Sequence, residues 1–371
     1  MGMDQQLTPE DRQYLSRALH LARKGWGRVH PNPMVGCVLV KEGKVVGEGW
    51  HQEYGGPHAE VHCLAKAGDK ARGATAYVSL EPCNHFGKTP PCTEALLAAG
   101  VSRLVYAAPD PGRVSGGGAG FLRREGVDVT GPVLLPHEFR RENPIFYHNQ
   151  VREATYVALK LAQTLDGKIA EKAGARTAIT GQSAHRQVHR LRAGFDAIMV
   201  GSETVMVDDP LLTIREDVPM RKAPARIVLD TRCRTNPRAR LFENVSDIPL
   251  LIFTAEDASE LAIQELEDSG AKVHPVPRQG NVLSLPAVLT ICWELGIRSI
   301  LCEGGGRLSQ ALLSEGLAQR LYLFVAPFVL GSRGVPAFPE EMSRDVWEPW
   351  TQAFPPQAFG RDVLLTLDRE V

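Results

Sequence analysis

His58, Glu60, Cys83 and Cys92 are the residues whose types and spacing could do chemistry together. They fall in His58-Ala59-Glu60, in Pro82-Cys83 and at Cys92. One imidazole and two thiolates fill three corners of a tetrahedral zinc site and leave the fourth for water. The metal lowers the pKa of that water from about 16 toward roughly 7. The resulting hydroxide can attack an amino-bearing ring carbon. Glu60, two residues from the histidine, is the expected proton carrier and binds no metal itself. Such a set would remove an amino group by hydrolysis. Eight residues separate the two cysteines, a wider spacing than the C-x-x-C that commonly places two thiolates for this chemistry.

His62 lies four residues after His58 on the same helix face, which leaves a second imidazole ligand open. A H-E-x-x-H site needs Glu directly after the first histidine, where Ala59 stands. Packing is the favoured reading of His62.

These residues need elements to hold them. Glu10 to Lys24 has helical periodicity and stops at Gly25. Val35 to Lys41 and Lys44 to Glu48 read as a hairpin turning at Gly43. His58 to Ala67 reads as a helix, Ala76 to Ser79 as a strand, Cys92 to Ala99 as a helix and Val101 to Ala108 as a strand. His58 and Glu60 then sit in the first turn of one helix and Cys92 at the start of another. Free N–H groups there favour thiolate and hydroxide. Arg140 to Arg152 reads as a junction. Strands follow at Tyr156–Leu161, Ala197–Val200, Arg226–Asp230, Leu250–Thr254, Lys272–Pro275, Ser299–Glu303 and Leu321–Val325. Helices are expected at Ser183–Ala193, Ala258–Ser269, Pro286–Leu295 and Leu308–Glu315. Both halves are α/β, with domains expected over 1–149 and 150–371.

With 371 residues the chain suits two domains better than one core. Its 42 basic and 43 acidic residues nearly cancel, so no charge footprint for nucleic acid stands out. The first residues carry acids and no apolar stretch, unlike a secretory signal. No run approaches the roughly 18 apolar residues of a membrane span. Seven cysteines without an export signal point to reduced thiols and a cytoplasmic enzyme. Cys37, Cys63, Cys233, Cys292 and Cys302 sit in apolar runs and read as packing residues.

Ser299 to Glu303, Gly304-Gly305-Gly306 and the helix from Leu308 form a strand, a glycine turn and a helix start, an arrangement that can cradle a phosphate. Alone it equally describes a tight turn. Asp166 in Leu165-Asp166-Gly167 reads as turn or as function with equal weight.

Taken together, HPNPMVG (His30 to Gly36), HAE, EPCNHFGKTPPC (Glu81 to Cys92), LDGK (Leu165 to Lys168), VDDPLLTIR (Val207 to Arg215) and EGGG (Glu303 to Gly306) resemble the bifunctional riboflavin-biosynthesis deaminase/reductase family. The likeness runs over nearly the whole chain, and EPCNHFGKTPPC accounts for the wide cysteine spacing. It implies a cytidine-deaminase-like three-layer domain followed by a dihydrofolate-reductase-like domain. The first would use zinc to deaminate 2,5-diamino-6-(5-phosphoribosylamino)pyrimidin-4-one. The second would use NADPH to reduce the ribose to a ribityl chain. Association into a homo-oligomer through the second domain is also implied.

By the same resemblance His58, Cys83 and Cys92 hold the metal. Asn32, whose amide suits a pyrimidine edge, meets the substrate with His85 and Lys88, Lys88 being the candidate for phosphate. In the second domain Ala162, Ala178, Thr204, Asp208, Thr231, Gly304, Gly305, Gly306 and Arg307 would line the nucleotide. Arg176, Arg192, Leu212, Arg215 and Glu303 would line the substrate, with Arg192 and Arg215 suited to its phosphate.

Two segments depart from the family. Asp110-Pro111-Gly112-Arg113 stands where D-P-N-P is usual, one residue short and without the Asn. Gly174-Ala175-Arg176-Thr177-Ala178-Ile179-Thr180 stands where G-E-S-x-W-I-T is usual. Arg176 or Thr177 replaces the serine, and Ala178 replaces the indole. These departures keep open a deaminase whose second domain only binds or supports. Balanced charge and the cysteine spacing speak against a nucleic-acid or free-nucleoside deaminase, and Glu60 speaks against a non-enzymatic zinc protein.

Overall fold

The computed structural model describes residues 7–87, 90–215 and 217–370. The chain divides into two compact units, Met1–Glu153 and Ala154–Val371.

The first unit runs α1 (Pro9–Ala22), β1 (Gly36–Lys41), β2 (Lys44–Trp50), α2 (Ala59–Ala67), β3 (Thr75–Val78), α3 (Cys92–Ala98), β4 (Arg103–Tyr106), α4 (Gly118–Arg124), β5 (Asp128–Thr130), α5 (Pro136–Glu142) and α6 (Pro144–Arg152). Its strands form one sheet in the order β2-β1-β3-β4-β5. Thr8 and Asp11 close a capping box at the start of α1. Glu42 and Gly43 turn the β1–β2 hairpin, both with positive φ, as a two-residue primed turn requires.

Alternation along β1 assigns the layers. Val38 and Val40 pack with Leu15 and Ala18 of α1, whereas Cys37 and Leu39 pack with Ala59 and Cys63 of α2. Glycines let the backbones approach. A Cβ at Gly36 would stand 2.1 Å from the Ala18 carbonyl, and one at Gly49 would stand 2.3 Å from the Ala59 carbonyl. The first contact seats α1 on β1, and the second seats α2, and hence His58 and Glu60, directly on β2.

The segment read as a junction is helical. Helix α6 buries Ile145 and Tyr147 in the first unit, and Tyr147 donates to the Pro109 carbonyl at 2.6 Å. The division therefore falls after Glu153 rather than after residue 149.

The second unit runs β6 (Tyr156–Thr164), β7 (Lys168–Ala170), α7 (Gln182–Ala193), β8 (Ala197–Gly201), α8 (Ser202–Asp208), β9 (Ala225–Leu229), β10 (Leu250–Ala255), α9 (Glu260–Asp268), β11 (Lys272–Val276), β12 (Arg278–Gln279), β13 (Val282–Leu283), α10 (Leu285–Glu294), β14 (Ser299–Cys302), α11 (Gly306–Ser314), β15 (Arg320–Ala326), β16 (Val335–Pro336), β17 (Trp350–Phe359) and β18 (Asp362–Arg369). The main sheet has nine strands in the order β11-β10-β9-β8-β14-β6-β15-β18-β17. Its pairings are parallel from β11 to β15 and antiparallel at β18 and β17. Inward residues again alternate. Met199 joins the core under α10 and α11, and Ile198 and Val200 join the core under α9. Fully burying a side chain such as Phe253 contributes about 2 kcal/mol. The chain winds outward through β8, β9, β10 and β11, then returns to lay β14 between β8 and β6. Such a reversal opens a crevice at the carboxyl ends of the strands.

Among the described residues, no helix is long and apolar enough to cross a membrane.

Candidate active sites

His58 is the N-cap of α2, yet its side chain makes no capping hydrogen bond. The ring turns instead toward two sulfurs. His58 Nδ1 lies 3.2 Å from Cys92 Sγ and 3.5 Å from Cys83 Sγ. All three donor atoms lie within 4.8 Å of one another. Zinc–nitrogen and zinc–sulfur bonds of about 2.1 and 2.3 Å at tetrahedral angles put their donors roughly 3.5 Å apart. The donor set fits a zinc ion in both chemistry and spacing.

The second cysteine is set by local geometry. Pro91 caps α3, so Cys92 takes its first turn. The Cys92 N–H lies 3.5 Å from Cys83 Sγ, and Thr93 N–H donates to the Cys83 carbonyl at 3.3 Å. The Cys92 side chain, with His58 and the Cys92 N–H, holds the Cys83 thiol down to about 4 against the opposing effect of burial. A thiolate is the form that binds metal.

Glu60 is 3% exposed. Its Oε2 has no hydrogen-bond partner, and burial, assisted by the Cys83 charge, raises its pKa. An orphaned, protonatable oxygen beside a metal set is what a proton carrier requires.

His58, Glu60 and Cys83 line a cavity of about 500 Å³ with Asn32, His51, His85, Asp110, Gly112 and Arg113. Asn32 Nδ2 lies 3.1 Å from His51 Nε2. Glu81 ties the walls together, accepting from Ala119 N–H at 2.9 Å and Asp110 N–H at 3.3 Å. In the shortened segment, a Cβ at Gly112 would stand 2.2 Å from Ser115 Oγ, so a side chain there requires the Ser115 hydroxyl to turn away. Lys88 lies outside the described residues. His62 is not part of the metal-donor cluster; its Cβ packs against the backbone at Gly49.

The second unit has a cavity of about 280 Å³. Arg176, Arg192, Thr204, Asp208, Leu212, Arg215 and Glu303 line it together with Lys160, His185 and His189. Three donors of Arg192 are already spent within the protein: Nε and Nη2 on Glu303 at 2.6 and 3.1 Å, and Nη1 on the Thr213 carbonyl at 2.8 Å. That geometry fits a residue that orients Glu303 rather than one that grips a phosphate. Arg176 and Arg215 are the other expected substrate residues with cationic heads in the cavity.

The glycine turn stands at the end of β14. Gly305 caps α11, and a Cβ there would meet nothing nearer than Thr204 Oγ1 at 4.0 Å. Gly306, by contrast, is packed, and its Cβ would stand 2.4 Å from the Ala337 carbonyl. One open glycine at a helix start beside Thr204 fits a dinucleotide phosphate. Ala162 on β6, Thr231 after β9 and Arg307 in α11 do not line the 280 Å³ cavity. Neither does Ala178, which is exposed. Asp166 is a turn residue: it accepts from Thr164 Oγ1 at 2.5 Å and Gly331 N–H at 2.7 Å.

Sequence reasoning passed over His51 and Lys160. His51 closes a strand with no spacing that marks a ligand. Lys160 stands within the apolar run Val157-Ala158-Leu159-Lys160-Leu161, and a charged residue inside a central strand was the available signal. Its Nζ lies 3.9 Å from Glu303 Oε2, and burial lowers its pKa.

The cytidine and deoxycytidylate deaminase zinc-binding region matches residues 8–108, and the RibD C-terminal domain matches residues 155–364. The riboflavin biosynthesis protein RibD of Aquifex aeolicus is 41% identical over 86% of this chain and 88% of its own length. That of Escherichia coli K12 is 40% identical over 89% and 92%. Among solved structures, Acinetobacter baumannii RibD superposes with a TM-score of 0.81 at 33% identity, covering 98% of this chain and 99% of that one. A diaminohydroxyphosphoribosylaminopyrimidine deaminase/5-amino-6-(5-phosphoribosylamino)uracil reductase from Thermotoga maritima gives 0.80 at 32% identity, covering 97% and 99%.

Proposed function

The chain belongs to the RibD family of riboflavin-biosynthesis proteins, and from that membership we propose how its own residues divide two reactions. It is an enzyme of two activities, a zinc-dependent deaminase and an NADPH-dependent reductase. In our reading the first unit converts 2,5-diamino-6-(5-phosphoribosylamino)pyrimidin-4-one to the corresponding uracil with release of ammonia. The second reduces the ribosyl group of that product to ribityl.

The observation that carries the deaminase reading is the triangle of His58, Cys83 and Cys92, with the orphaned Glu60 oxygen in the cavity that His58 and Cys83 line. Bound zinc supplies a Lewis-acidic position that lowers the pKa of water toward neutrality. Glu60 Oε2 takes a proton from the attacking water and passes it to the departing amino group. Asn32 orients the pyrimidine.

In the second unit Gly305 and Thr204 receive the nucleotide phosphates. Bound NADPH would supply a hydride for C1′ of the ring-opened ribose, and the protein must then supply a proton on the nitrogen side. Lys160 is placed to hold that proton, with Glu303 beside it and Arg192 fixing Glu303. Arg176 and Arg215 supply positive charge toward the substrate phosphate.

We further read the chain as a cytoplasmic homo-oligomer without nucleic-acid or membrane partners: the balanced charge and the seven cysteines support the absence of nucleic acid and the cytoplasmic location, and the family resemblance supports association. The metal assignment is tested by metal analysis of the purified chain: about one zinc per chain is expected, lost in Cys92→Ala. Undiminished zinc in that variant would reject the ligand set.

A further inference from the structure

His51 is 2% exposed and packs its ring edge-on against His58, with centroids 5.3 Å apart. Its two nitrogens have different partners. Nδ1 lies 3.0 Å from the Pro57 carbonyl oxygen, which can only accept. Nε2 lies 3.1 Å from Asn32 Nδ2, which can only donate. The two contacts are satisfied together by one form of the ring, neutral with the proton on Nδ1. Nε2 is then a bare acceptor and holds the amide nitrogen of Asn32. The amide oxygen is consequently the end left for the cavity that both residues line.

We propose that His51 is a positioning residue that fixes the amide of Asn32 with its oxygen toward the substrate, and so selects pyrimidines presenting an N–H donor on that edge. The proposal rests on the deaminase reading above and deepens it. Asn32 alone has no such preference, because an amide offers a donor or an acceptor according to how it is turned. A histidine protonated on Nε2 would reverse the amide and select the opposite edge. The relay runs from a backbone carbonyl through the imidazole to the amide, the way a hydrogen bond on one ring nitrogen settles the role of the other.

Two measurements test it on the full-length, zinc-loaded protein. Nitrogen NMR of histidine-labelled protein, with His51 assigned by its loss in His51→Gln, reports the tautomer without any substrate. A protonated Nδ1 and a bare Nε2 are expected; a proton on Nε2 overturns the proposal. The second is a double-mutant cycle on deamination. His51→Phe keeps the ring volume and should raise KM about tenfold, the worth of one oriented hydrogen bond, with zinc content and kcat little changed. His51→Gln, which retains an acceptor, should recover part of that loss. Asn32→Ala and the double variant should then be nearly equal, because His51 acts through Asn32. Additive effects, or a His51→Phe protein with unaltered KM, would refute the relay. Lack of ammonia release by the unmutated protein would instead reject the deaminase reading.

Discussion

Arg192 and Glu303 meet edge to edge, with nitrogen–oxygen distances of 2.6 and 3.1 Å, in the lining of the second-unit cavity. Both side chains are nearly buried, at 13% and 9% exposure, and Lys160 Nζ lies 3.9 Å from the same carboxylate. The Arg192 charge, with that of Lys160, keeps Glu303 ionised against burial. Arg192→Ala leaves a buried carboxylate with a single, more distant cation. It should cost about 3 kcal/mol of stability in the second unit and lower the rate of NADPH oxidation, with ammonia release unchanged. Arg192→Lys cannot restore the paired geometry and should recover little. Denaturant unfolding and the two assays in parallel check this; unchanged reductase kinetics in Arg192→Ala would remove Arg192 from the site.

Glu60→Gln preserves size and every metal donor but cannot carry the proton. Zinc content should match the unmutated protein, while deamination falls a hundredfold or more. Metal analysis alongside an ammonia assay decides it. Full activity in the glutamine variant would remove Glu60 from the mechanism.

The two glycines after Glu303 make opposite predictions. Gly305→Ala has ordinary helical-entry backbone angles and open space for its methyl. It should fold normally and raise the KM for NADPH. Gly306→Ala meets the Ala337 carbonyl at 2.4 Å and should lower the melting temperature whatever its kinetics. Equal melting temperatures for the two variants would contradict the packing described for α11.

Acid should weaken the first unit through Asp11. This carboxyl is 1% exposed and accepts from Tyr77 at 2.7 Å and from Arg103 at 2.7 and 3.2 Å. Burial works to raise its pKa, but these bonds and the Thr8 N–H outweigh it and hold the value at about 2, below the ordinary 3.8. A depressed carboxyl stabilises the fold above its unfolded pKa and loses that contribution as pH falls. The loss, of order 2 kcal/mol, should run from about pH 4 to pH 2. Asp11→Asn should be less stable at neutral pH and flatter over that window in melting experiments. A variant with the same acid sensitivity would exclude Asp11 as its source.

Much of this was legible in the residues because spacing alone encodes it. Period-two and period-3.6 patterns placed β1, β2, α2, α3, α7 and the parallel strands to within a few residues, and cysteine–histidine spacing pointed to the triangle that the fold assembles. Other features depend on long-range geometry. Helix α8 and the β17–β18 hairpin were not foreseen: α8 is a seven-residue helix with little period to read. Strand β17 carries Pro355-Pro356 and pairs irregularly with β18. The pairing of Arg192 with Glu303, far along the chain, has no local signal. Lys160 and His51 acquire meaning only from what stands across a cavity.

The central claim is that one chain carries out both reactions in order. The direct measurement supplies the purified, zinc-loaded protein with the diaminopyrimidine ribosyl phosphate, with and without NADPH, and follows ammonia release and NADPH oxidation separately. The account predicts ammonia in both conditions and NADPH oxidation that depends on prior deamination. Ammonia without NADPH consumption would contradict it, leaving the second unit, with Arg176 or Thr177 in place of the family's serine and Ala178 in place of its indole, as a domain that binds but does not reduce.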